Sequence, residues 1–244
     1  MWIDGTLVAP EDYRILGQSK SWISFENVTG VSILGGALDT KGSSLWACKA
    51  AKGNCPKGAT HITLMYLVSM KHLIKLFDCV NLWAPDIELL EFQEHKGEGV
   101  EEEEPGVQNV TVRRTVFVCS TNGFRIKSWA RDSNGFVRGV RFIGAVMHNM
   151  QFPIIIVQDY CPHNLNCPGQ VSGVKINDVI YQGIRGTSAT EVAVKFHCSS
   201  KSRCRGIILQ DINLSYMNRA SISSCAHVDE SVIGEILPSL DVCN

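Results

Sequence analysis

No run of about eighteen apolar residues occurs in this chain, so no hydrophobic helix able to cross a bilayer is expected. Long helical periodicity is also hard to find, which points away from helical folds. The chain has no phosphate loop, no HExxH pattern, no glycine-flanked histidine, no Ser/His/Asp hydrolase motif and no nucleic-acid module. These absences remove nucleotide-dependent, zinc-protease and nucleic-acid functions. No cofactor, no metal, no membrane and no nucleic-acid partner is expected. The N-terminus, Met1-Trp2-Ile3-Asp4-Gly5, lacks a basic segment followed by an apolar one, so no signal peptide is read there.

Cysteine, by contrast, is abundant, with ten in 244 residues. Several fall in short pairs within polar segments: Cys48 with Cys55, Cys161 with Cys167, and Cys198 with Cys204. Cys225 and Cys243 can close the C-terminal tail. Small disulfide rings on the rim of a rigid scaffold account for this pattern, and they imply an oxidising compartment. Zinc is the rival reading, but the gaps exceed CxxC and no His sits at ligand spacing beside them. Cys79 and Cys119 lie in apolar contexts and are expected to be buried thiols. Three glycosylation sequons begin at Asn27, Asn109 and Asn213. Together these features suggest a secreted protein whose leader lies outside this chain.

The net charge of -1 hides an asymmetry. Residues 86–104 hold nine acidic groups and one Lys, whereas residues 105–244 hold fourteen basic and nine acidic groups. The second half can therefore accept an anionic ligand. A short strand with a small or polar lead-in recurs along the chain. Its first apolar positions are Val31, Ile62, Val110, Val140, Val174 and Ile207, in steps of 31, 48, 30, 34 and 33 residues. Short β-runs at a near-constant step mean stacked units that cover one another's apolar faces. That predicts an all-β parallel β-helix in a single domain spanning residues 1–244. An antiparallel sandwich is the alternative. The 48-residue step contains the acidic stretch, which is expected to be an irregular patch over residues 86–104; a calcium site there lacks the spaced ligand pattern.

The sharpest constellation is Asn122-Gly123-Phe124-Arg125-Ile126-Lys127-Ser128-Trp129. On a strand, Arg125 and Lys127 share one face while Ile126 points inward. Two adjacent cations on a rigid sheet suit a carboxylate, since Arg offers a planar fork and Lys a point charge. An ordinary solvated face is the other reading. Trp129 reads as packing or as a sugar platform.

Around this segment the sequence resembles the plant polygalacturonases of glycoside hydrolase family 28. The resemblance is carried by Ile3-Asp4-Gly5-Thr6-Leu7-Val8-Ala9-Pro10, Gly35-Gly36-Ala37-Leu38-Asp39 and Gly42-Ser43-Ser44-Leu45-Trp46-Ala47-Cys48. It continues through Gly106-Val107-Gln108-Asn109-Val110-Thr111-Val112 and Ser133-Asn134-Gly135-Phe136-Val137-Arg138-Gly139. Tyr160-Cys161-Pro162-His163-Asn164 and Gly186-Thr187-Ser188-Ala189-Thr190-Glu191 complete it. The resemblance implies a right-handed parallel β-helix, secretion to the cell wall and action on the α-1,4-galacturonan of pectin; a monomer is expected. It also implies that Arg125 and Lys127 hold a galacturonate carboxylate.

Family members hydrolyse with inversion, which needs one carboxylic acid and one carboxylate roughly 6.5–9.5 Å apart. The family takes them from Asn-Thr-Asp-Gly and Gly-Asp-Asp-Cys motifs, with a Gly-His-Gly motif nearby. None of the three is in this chain, and it has no Asp-Asp pair. No catalytic residue is identifiable, so the resemblance implies a polygalacturonase-family glycoside hydrolase with impaired turnover; the alternatives are a pectin-binding protein without catalysis and a non-functional shortened gene product. Asp86, Glu88, Glu91, Asp132 and Asp159 are the carboxylates that could approach Arg125. For Asp159 the choice lies between a cleft-edge role and a structural role beside the Cys161–Cys167 segment.

Overall fold

The computed structural model describes residues 3–16, 24–25, 31–34, 37–39, 48, 66–67, 81–83, 86–92, 106–118, 122–160 and 169–243. Strands β1 (Thr6–Val8), β2 (Ser24–Phe25), β3 (Val31–Leu34), β4 (Ala37–Asp39), β5 (Tyr66–Leu67), β6 (Asn81–Trp83) and β7 (Asp86–Phe92) come first. The longer strands follow: β8 (Val107–Val118), β9 (Asn122–Trp129), β10 (Phe136–Met150), β11 (Phe152–Tyr160), β12 (Lys175–Ser188), β13 (Val192–His197) and β14 (Cys204–Tyr216). The described chain closes with β15 (Arg219–Ala220), β16 (Ile222–Ala226), β17 (Val228–Leu237) and a 3-10 turn at Asp241–Cys243.

From β8 onward the chain winds as a parallel β-helix. Strands β8, β10, β12, β14 and β17 pair in parallel in one sheet. Strands β9, β11, β13 and β16 pair in parallel in a second. Each coil therefore lays one long strand on the first sheet and one short strand on the other. Nearer the N-terminus the pairing changes: β6 and β7 run antiparallel to β8, and β3 runs antiparallel to β7. Strand β7 occupies the first part of the stretch read as an irregular patch. Its Ile87-Glu88-Leu89 alternation is strand-like, and the density of acidic residues masked it. Residues 93–105 lie outside the described residues.

The long strands bend at fixed corners. Asn109, Gly139, Asp178 and Gly206 occupy equivalent positions on β8, β10, β12 and β14, all with left-handed φ between 54° and 62°. Arg114, Gly144, Gly183 and Asp211 form a second such column five residues on, with φ between 51° and 66°. Gly, Asn and Asp adopt this conformation at least cost, so they dominate both columns. The residue after the first corner is Val110, Val140, Val179 or Ile207, all fully buried. The true steps between coils are therefore 30, 39 and 28 residues. The unit read at Gly173-Val174 belongs instead at Asp178-Val179.

Inward residues stack by kind. Val112, Phe142, Tyr181 and Leu209 align across four strands, and all are fully buried. Phe117, Phe124, Phe142, Tyr181 and Phe196 form a continuous file of rings with successive centroids 5.0, 4.3, 5.1 and 5.9 Å apart. Burying five such rings supplies a large share of the hydrophobic stabilisation. A polar seam joins the coils on one side. The Gln158 amide donates to the Val174 carbonyl at 2.7 Å and accepts from the Ser199 backbone N–H at 3.0 Å. The Ser199 hydroxyl donates to the Ser172 carbonyl at 2.6 Å, and the Ser172 and Ser128 hydroxyls are 2.9 Å apart. Because these groups are buried and paired, the seam costs little desolvation.

Two of the expected disulfides are present, Cys198–Cys204 and Cys225–Cys243. Cys48 is also disulfide-bonded. Cys55, Cys79, Cys119 and the Cys161–Cys167 pair lie outside the described residues. Among the described residues no group of His, Cys, Asp and Glu could hold a metal, and no helix is long and apolar enough to cross a membrane.

Candidate functional site

Strand β9 alternates as the sequence requires. Phe124 and Ile126 are buried in the core, while Arg125, Lys127 and Trp129 are half-buried on the outer face. The parallel register then fixes what lies beside them. Arg125 is opposite Ile155 on β11, and Ile155 is opposite Lys195 on β13. Lys127 is opposite Val157, which is opposite His197. The outer face of this sheet thus carries two cross-strand rows: Arg125, Ile155, Lys195, and Lys127, Val157, His197.

The register shifts between Val157 and Tyr160. This irregularity puts Tyr160 opposite Trp129 and turns its ring toward the cations; re-aiming a side chain in this way is a common role of strand irregularities near functional sites. The Lys127 Nζ lies 3.8 Å from the Tyr160 ring centroid, and the Arg125 Cζ lies 4.9 Å from it. Trp129 meets Tyr160 edge-on at 6.3 Å. Cation–π contact holds both charged ends in place while leaving them cationic. The sequence reading missed Tyr160, because the shift that aims it has no sequence signature. Trp129 packs against Tyr160, as one of its two readings had it.

The carboxylates are distributed unevenly. Asp159 is the only Asp or Glu on β9, β11, β13 and β16, and it is exposed. Asp132 is committed elsewhere, with both oxygens 2.8 Å from Lys201 Nζ. Those hydrogen bonds, with the charge of Lys201, hold Asp132 below the usual carboxylate range. Asp86, Glu88 and Glu91 belong to β7, which pairs with β8 in the other sheet, so the backbone does not bring them onto the face of Arg125.

His197 sits on the same face as the cations. Its Nε2 is 3.2 Å from the Ser224 hydroxyl. Burial lowers its pKa below the usual imidazole value; the charge of Lys195 acts the same way and Asp159 opposes it. A cavity of about 260 Å³ opens at the end of the row, bounded by Ala130, Asp159, His197, Ala226 and His227 among others. Chemically, the face offers a fixed pair of cations, an aromatic ring beneath them, an apolar floor and hydroxyl-compatible groups at one end. Such a surface suits an extended, polar, anionic chain.

The chain is similar in sequence to known proteins over the coils that carry this face. A family model described as Glycosyl hydrolases family 28 matches residues 97–233. The chain is 42% identical to a polygalacturonase of Prunus persica over 97% of its own length and 77% of that protein. It is 44% identical to a polygalacturonase of Persea americana over 48% of the chain and 25% of that protein. It is 40% identical to polygalacturonase-2 of Solanum lycopersicum over 50% of the chain and 27% of that protein. The matched coils, the sheet they build and the extent of the likeness to the peach protein leave one assignment: the chain belongs to glycosyl hydrolases family 28.

Proposed function

We propose that the chain acts on the α-1,4-galacturonan of pectin, holding a galacturonate carboxylate between Arg125 and Lys127, with its capacity for hydrolysis impaired. The observation that carries the binding half is the pair of outward cations held over the Tyr160 ring on a rigid sheet. Arg can grip the carboxylate with its fork while Lys supplies a second charge, each bond being charge-assisted. Relatives named polygalacturonase support the choice of polymer.

Impairment follows from the inventory of acids. Inversion needs an acid on one side of the scissile bond and a base on the other. The four strands of the sheet that carries the cations offer Asp159 alone. The alignment with the peach relative runs over 306 positions against 244 residues here, so at least 62 of its positions have no counterpart in this chain. That supports a loss of family segments from this chain, which we place at residues 86–104, where the family-like stretches are interrupted. Secretion to the cell wall is supported by the disulfides and by exposed sequon asparagines Asn109 and Asn213. The protein acts as a monomer on this reading.

The test uses purified protein and polygalacturonic acid. Binding is measured by affinity electrophoresis, and cleavage by the appearance of reducing ends. Wild-type protein is expected to bind and to release few or no reducing ends. Lys127→Ala should weaken binding about tenfold. Rapid release of reducing ends that Lys127→Ala abolishes would overturn the impairment. Failure of the wild-type protein to bind would overturn the site itself.

A further inference from the structure

The outer face of the second sheet repeats its own pattern. Lys195 and His197 stand two residues apart on β13, as Arg125 and Lys127 do on β9, and the two pairs are in register through Ile155 and Val157. Strands in a sheet are about 4.8 Å apart, so the two pairs lie roughly 9.6 Å apart along the axis of the solenoid. Between them the floor is apolar, and it lies low because Ile155 is buried and Val157 half-buried.

Three cations of the neighbouring segment are committed. Lys201 pairs with Asp132, and Arg203 and Arg205 both reach Asp229. Lys195 makes no ion pair among the described residues. Its Nζ lies 6.0 Å from the Phe152 ring centroid, at the outer limit of a cation–π contact. The side chain is half-buried, which limits the conformational entropy lost when an anion arrives.

We infer that Lys195, with His197 beside it, is a second carboxylate-binding position for the same polyuronate chain, two coils along from Arg125 and Lys127. This rests on the galacturonan-binding reading above. The polymer would lie across β9, β11 and β13, with its sugar rings over Ile155 and Val157 and spaced carboxylates meeting the two basic pairs. His197 can donate a hydrogen bond from its ring or, through Ser224, share one.

Chain length separates the two sites. A single galacturonate, with one carboxylate, can occupy only one basic pair at a time, whereas a hexagalacturonate spans both. Affinities for each are measured by titration calorimetry with wild-type protein and with Lys195→Ala, Lys195→Gln, Lys195→Arg and Lys127→Ala. Lys195→Ala and Lys195→Gln should weaken hexagalacturonate about tenfold and leave galacturonate binding at Arg125–Lys127 unchanged, with Lys195→Arg restoring most of the loss. Lys127→Ala should weaken both ligands. Unchanged hexagalacturonate affinity in Lys195→Gln, with a melt matching wild type, would overturn the inference, as would an equal loss for both ligands. If wild-type protein binds neither ligand, the galacturonan reading itself fails, and that result is distinct from both.

Discussion

Tyr160 and Tyr181 show how position decides what a tyrosine does. Tyr160 ends β11 on the outer face, where its ring lies under two cations. Tyr181 is fully buried in the aromatic file, and its hydroxyl has no hydrogen-bond partner among the described residues. Burial pushes the Tyr181 hydroxyl well above its usual pKa. An unsatisfied buried hydroxyl costs free energy that a phenyl ring avoids. Tyr181→Phe should therefore stabilise the protein by about 1 kcal/mol, read as a higher midpoint in urea with an unchanged slope. A lower midpoint would mean that the hydroxyl has a partner in solution. Arg125 and Lys127 were legible at this scale because strand alternation alone puts them on one face. Lys195 and His197 follow the same alternation, but no sequence argument sets them in line with β9. That alignment depends on the number of residues in the intervening coils.

At the level of the strand, corners matter more than length. The corner residues Asn109, Gly139 and Gly206 coincide with the small or polar lead-ins that the repeat displays. Asp178 breaks the pattern because Gly173-Val174 imitates it five residues too early. Gly173 is not a corner: a Cβ there would run into the backbone of Ser133, so glycine is needed for close approach. Gly186 combines both demands. It has φ 134°, and a Cβ built on it falls on the Met147 carbonyl oxygen. Gly186→Ala should cost about 3 kcal/mol or more, measured by chemical denaturation. A loss well below that would show that β10 can shift away from β12. The strand β7 was obscured for a different reason. Acidic content dominates its composition, whereas its pairing with β8 follows from the alternation of Ile87 and Leu89.

The whole solenoid is a stack whose end must be closed. Its C-terminal end is covered by the last residues, where Leu240 and Cys243 are buried and Ser223 donates a hydrogen bond to the Ser239 carbonyl. Cys225–Cys243 ties this cover to β16 across 18 residues of chain. Removing it with Cys225→Ser should lower stability by about 3 kcal/mol, seen as a lower melting temperature than wild type under non-reducing conditions. Equal melts with and without reductant would show that packing alone holds the cover. The cysteine spacing revealed this tie, and the repeat revealed the stack. The antiparallel pairing of β3, β6 and β7 was not legible, because it joins segments whose family-like sequence is interrupted.

The two columns of left-handed corners have one more consequence. Between the first corner and the next coil's first corner the chain uses 30, 39 and then 28 residues, yet the corners stay aligned. Variation in length is therefore expelled to the loops outside the columns. The protein behaves like a bound book, in which pages of unequal width are sewn along the same spine. Material can be added or trimmed at the open margin without disturbing the stitching.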